Sequence, residues 1–253
     1  MLSLAIETSG RTATVALWQD DRPIAERALP DIGRRHAQSL VTEIDRLFRE
    51  SGATLDSCQF VAVSIGPGSF TGLRVGVVCA KTLAYAIRSR LVAVDTFECI
   101  ACNSPEDVRE VLVISDAQRG GLFVGRYLRQ TSETWHRDGD ISIVDATDWV
   151  RARVSTDVVS GWGATKILPA LADRCRVLDR EFWTPAASTV VRIGRRLAEH
   201  HQFADCMTLE PFYLRQSAAE EKAGESGVPS PEAEQSQIQS PMPKVGKKDR
   251  GCG

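Results

Sequence analysis

Residues 64–78 read Ser-Ile-Gly-Pro-Gly-Ser-Phe-Thr-Gly-Leu-Arg-Val-Gly-Val-Val, so that a strand end, a glycine loop and a helix start follow one another without a spacer. No other stretch restricts the fold as much. The preceding Phe60-Val61-Ala62-Val63-Ser64 is short, apolar and β-branched, as a buried strand requires, and Ser69 or Thr71 is placed to cap the helix that follows. Gly68, Gly72, Gly76, Ala80 and Ala84 recur every fourth residue, which puts every small side chain on one helix face. A face without side-chain bulk admits another backbone at close range. The stripe is therefore expected to meet another helix, and a bulky residue at Gly72 or Gly76 is expected to block that pairing while leaving the monomer folded.

Around this segment the chain is organised in two passes. Apolar runs at 2–6, 13–18 and 23–29 predict a three-stranded meander. A helix is expected over 35–50, with Leu40, Ile44 and Leu47 on one face and Gly52 beyond its end. The strand, the glycine loop and the helix that carries the small-residue stripe follow, then a strand at 91–94. The second pass starts at 111–116, where an apolar run ends in Asp116 and turns through Arg119-Gly120-Gly121 into a second run at 122–128. The same grammar occurs at Leu4-Ala5-Ile6-Glu7-Thr8-Ser9-Gly10 and the run after it, so two acid-tipped hairpins hint at an internal duplication. Strands at 141–144, 158–161 and 176–178 and helices at 146–153, 164–172 and 188–200 complete the reading, which predicts an α/β protein with mixed sheets flanked by helices. Beyond residue 215 Pro, Ser, Glu, Gln and Gly dominate, and the tail 216–253 is expected to be disordered.

Composition narrows the chemistry. A net charge of -2 gives no overall attraction to a phosphate backbone, so any contact with RNA is expected to run through a partner. Seven cysteines, an odd number scattered through apolar segments, suit a reducing compartment. With no basic leader and no apolar run near the roughly 20 residues that span a bilayer, the chain is expected to be cytoplasmic. The four histidines, His36, His136, His200 and His201, include no His-x3-His pair, which excludes a metallopeptidase-type ligand set on one helix face. The glycine loop lacks the spacing and lysine of a P-loop. Its amides suit a phosphate, and Gly66-Pro67-Gly68 suits equally a bend that lets two chains touch. Glu7 and Asp116 end their strands, either as turn-capping acids or as a pair flanking one cleft like the phosphate-facing acids of actin-like ATPases.

Several segments together resemble the TsaB (YeaZ) family, whose members serve threonylcarbamoyladenosine modification of tRNA. They are Leu4-Ala5-Ile6-Glu7-Thr8-Ser9, Arg34-Arg35-His36, the whole of Gly66 to Gly76, Val94-Asp95-Thr96-Phe97, Asp116-Ala117-Gln118-Arg119-Gly120 and Pro211-Phe212-Tyr213-Leu214-Arg215. The resemblance implies an actin-like, duplicated RNase H-type fold in two lobes, 1–104 and 105–215. It implies a non-catalytic scaffold that pairs through its first two long helices with the catalytic homologue TsaD, or with itself, and lets the ATPase TsaE dock. The implied interface comprises Arg35, His36, Ser39, Leu40, Gly68, Ser69, Phe70, Thr71, Gly72, Arg74, Val75, Gly76 and Ala80. Glu7, Thr8, Ser9, Gly66 and Asp116 would lie nearest a nucleotide, with ATP and metal used by the partner subunits and none held tightly by this chain. Glu7 departs from the family pattern, in which Asp is usual. The competing expectation is a stand-alone phosphotransferase or ATP hydrolase of the actin-like superfamily.

Overall fold

The first strand, β1 (Leu2–Glu7), is buried along its whole length because it lies at the centre of a sheet covered on both faces. β2 (Thr14–Gln19) and β3 (Arg22–Ala28) continue it as an antiparallel meander, while β4 (Cys58–Ser64) and β5 (Arg90–Val94) extend the other side in parallel, giving the order β3-β2-β1-β4-β5. The computed structural model describes residues 1–29 and 36–214, so the expected disordered tail and Arg35 lie outside the described residues. Alternation along β1 divides the first core. Leu2, Leu4 and Ile6 face α1 (His36–Ser51) and α2 (Phe70–Ala86), whereas Ala5 faces α6 (Ala187–Glu199).

The second sheet repeats this plan. β6 (Glu110–Gln118), β7 (Gly121–Arg129) and β8 (Trp135–Asp145) form the meander, and β9 (Val158–Ser160) and β10 (Arg176–Val177) add parallel strands. Its order, β8-β7-β6-β9-β10, matches that of the first sheet strand for strand. This is the duplicated RNase H-type topology that the two acid-tipped hairpins pointed to. α4 (Ala146–Arg151) and α5 (Ala164–Leu171) pack on one face through Trp149, Val150, Ala164 and Leu171, and α3 (Thr96–Ala101) packs on the other through Phe97 and Ile100.

The packing of the two halves and one short helix differ from the sequence reading. α3 was not anticipated: six residues leave no periodicity to detect, and its signal is the Asp95 cap, whose carboxylate accepts the Phe97 N–H at 2.8 Å. The division at residue 104 separates the strands but not the packing. α6, from late in the chain, covers the first sheet with Val190, Val191 and Ile193. Ala204 then donates its N–H to Leu91 at 2.8 Å and Phe212 to Ile65 at 2.8 Å, so Met1–Leu214 is one compact unit.

Candidate functional site

The acid at the tip of β1 is sealed in the core. Glu7 has no exposed surface, and its Oε1 accepts both the N–H and the hydroxyl of Ser9. Its Oε2, with the hydroxyls of Thr8 and Ser64, is buried without a hydrogen bond among the described residues. Burial pushes the carboxyl above the ordinary glutamate range, and the Ser9 and Ser64 hydroxyls facing it counter this less strongly. The enclosed carboxyl thus faces the chain's own Ser9 amide and hydroxyl and not solvent.

The glycine loop is what seals it. Ser69 donates its N–H to Ser9 at 2.8 Å, Gly66 donates to the Thr96 hydroxyl at 3.0 Å, and Gly72 donates to the Ser69 hydroxyl at 3.2 Å. Three amides of the loop and of the first turn of α2 are thus bound within the fold. Contact is close enough that a Cβ on Gly72 would stand 2.0 Å from the Thr8 carbonyl oxygen, and one on Gly76 would stand 2.1 Å from the Thr8 hydroxyl. The glycines of the stripe therefore face the chain's own Thr8 and Ser9, just past the end of β1. The sequence spacing placed the small residues on one face correctly, but in a sheet protein the backbone lying against that face is the neighbouring loop.

The residues expected at a subunit interface divide by burial. Leu40, Gly72, Gly76 and Ala80 are buried in the core, Gly68 abuts Ser9, and Ser69 caps α2. Ser39, Phe70 and Val75 are half-buried, Thr71 and Arg74 are exposed, and His36 opens α1. The outward face of the α1–α2 layer is carried instead by side chains that the stripe hid. Val41 is 58% exposed, Val78 62% and Tyr85 71%, an apolar surface on two adjacent helices. A period of four from Arg74 to Val78 to Thr82 marks this face in the sequence, opposite the glycines.

Asp116 does not join Glu7. Its carboxylate accepts the Gln118 N–H at 2.8 Å and pairs with Lys166, at a β6–β7 turn whose Gln118, Arg119 and Gly120 have φ of 63°, 49° and 79°. The acid holds a strained turn and is neutralised by a lysine. Among the described residues no group of three or more His, Cys, Asp or Glu is placed to hold a metal ion, and no helix is long and apolar enough to cross a membrane. Six described cysteines are free, and Cys99 lies in the core, its thiol pushed well up by burial.

A duplicated RNase H-type fold with its first acid enclosed defines an actin-like protein, and Val41, Val78 and Tyr85 stand exposed on its first two long helices. Residues 29–161 match the family model described as TsaD, tRNA N6-adenosine threonylcarbamoyltransferase; the chain belongs to that family and, within it, to the TsaB (YeaZ) group. It is 28% identical to the Escherichia coli (strain K12) tRNA threonylcarbamoyladenosine biosynthesis protein TsaB, covering 88% of this chain and 98% of that one. The Bacillus subtilis (strain 168) protein of the same name is 27% identical over 89% of this chain and 99% of its own. Among solved structures, YeaZ from Pseudomonas aeruginosa superposes with a TM-score of 0.72 at 23% identity, covering 84% of this chain and 99% of that chain, and shows the same fold.

Proposed function

We propose that this chain is a non-catalytic partner subunit in tRNA threonylcarbamoyladenosine biosynthesis. It pairs with a TsaD homologue through the outward faces of α1 and α2 and completes the surface on which the ATPase TsaE docks. The observation that carries this reading is a contrast: the Gly66, Ser69 and Gly72 amides and the Glu7 Oε1 are bonded inside the fold, while Val41, Val78 and Tyr85 stand uncovered. An actin-like hydrolase needs the first of these groups free, and a subunit needs the second. Nucleotide and metal belong to the partner subunits, tRNA is reached through the complex in the cytoplasm, and the isolated chain pairs with itself through the same face.

The test is reconstitution. The chain alone is expected to bind no ATP in calorimetry and to leave tRNA unmodified, whereas adding it to its cognate TsaD and TsaE homologues restores threonylcarbamoyladenosine formation. Micromolar ATP affinity or phosphate release by the isolated chain would instead establish the stand-alone hydrolase.

A further inference from the structure

Arg74 stands one turn into α2 on the outward face, where a long cationic side chain would ordinarily sample many rotamers in water. It is held instead. Its guanidinium carbon lies 4.0 Å from the centre of the Phe70 ring and 5.7 Å from that of Tyr213, and the two rings are 5.1 Å apart. Its Nε donates to the Tyr213 hydroxyl at 2.9 Å. Tyr213 is fixed in turn, because the neighbouring Phe212 donates its N–H to Ile65 beside the glycine loop at 2.8 Å. The plane of the guanidinium is thus set by two rings and one hydrogen bond, while among the described residues no carboxylate pairs with it.

We propose that Arg74 is a pre-set carboxylate receptor: an Asp or Glu side chain of the partner subunit enters end-on between Nη1 and Nη2, the two groups that Tyr213 leaves free. The inference rests on the α1–α2 pairing face argued above and assigns that face its polar anchor. A fork of parallel N–H donors matches a carboxylate, and a side chain already ordered loses little entropy on binding. A stacked arginine amid apolar neighbours is also the composition of an interface hot spot. RNA phosphate fits less well, since a phosphate backbone is tracked by several cations. The nearby Lys81 is already used, donating to the Met207 and Leu209 carbonyl oxygens at 3.2 and 2.8 Å.

Calorimetric titration of the full chain against its cognate TsaD homologue tests this. Arg74→Gln is expected to weaken pairing about 10- to 100-fold and to flatten its salt dependence; Arg74→Lys, which keeps the charge without the fork, loses at least about 10-fold. Tyr213→Phe, which frees the guanidinium to rotate, is expected to lose about 3- to 10-fold with melting temperature unchanged. Val78→Lys separates the two layers of the argument. Should Val78→Lys abolish pairing while Arg74→Gln stays within about twofold of wild type, the carboxylate receptor is wrong and the face stands. Should neither variant alter pairing, the face is wrong as well. Arg74→Gln that pairs normally but lowers the assembled complex's affinity for tRNA overturns the proposal in favour of phosphate.

Discussion

Glu7 and the glycines that enclose it set the local energetics of the β1 tip. A carboxyl whose proton is held more tightly in the fold than in the unfolded chain binds more protons when native, so stability falls as pH rises above the ordinary glutamate range. Glu7→Gln keeps an acceptor for Ser9 and puts a neutral NH2 where Oε2 lies. The variant is expected to match wild type within about 1 kcal/mol near pH 5 and to lose less stability toward pH 8, as read by urea unfolding across that range. An identical pH slope in both proteins would show that Glu7 is ionised in the fold. Gly72→Ala inverts the expectation read from the stripe. Its methyl would meet the Thr8 carbonyl, which is backbone and cannot swing away, so the isolated chain itself should lose about 1–3 kcal/mol or more in thermal or urea unfolding.

At the level of elements, Ser69 shows how one residue joins loop and helix. Its hydroxyl accepts the Gly72 N–H while its own N–H holds Ser9. Ser69→Ala should cost about 0.5–2 kcal/mol by loss of the cap, and Ser69→Asp should recover most of it; urea unfolding of the three proteins reads the difference. A cap at Ser69 or Thr71 was legible in the sequence, as were the strand before the loop and the start of α2, because each carries a local signal: β-branching and a capping hydroxyl. The partner of the glycine stripe was not legible. Spacing fixes which residues share a face, but which backbone arrives there is decided by chain segments far away, here Thr8 and Ser9. β8 was likewise read at 141–144 although it runs Trp135–Asp145, because His136, Arg137 and Asp138 lie exposed on an edge strand and lack the apolar alternation that marks a covered one. The Arg74 cluster escaped for the same reason as the stripe, since Phe70 and Tyr213 meet only in the fold.

Residues 1–214 are tied together by contacts that cross from one half of the chain to the other. Tyr127, fully buried on β7, donates its hydroxyl to Asp95, at the end of the first sheet, at 2.7 Å, and Arg137 of β8 reaches the same carboxylate at 3.3 Å. Arg196 of α6 pairs with Glu98 of α3 at 2.6 Å, and Ala187 of α6 donates its N–H to the Thr14 hydroxyl on β2 at 2.9 Å. These contacts have a consequence for folding. Residues 1–104 contain every strand of the first sheet but not the helix that covers one of its faces, so Phe60, Ala62, Val92 and Val94 would be left bare. At about 25 cal/mol per Å² of apolar surface, losing the cover of four such side chains costs several kcal/mol, comparable with the about 5–15 kcal/mol by which a whole domain is ordinarily stable. A fragment ending at residue 104 is therefore expected to show no cooperative unfolding transition by circular dichroism, and the intact chain to unfold in a single step with calorimetric and van't Hoff enthalpies equal. Two resolved transitions in the intact chain, or a folded fragment, would mean that the lobes are energetically independent and that α6 decorates the first sheet without completing it.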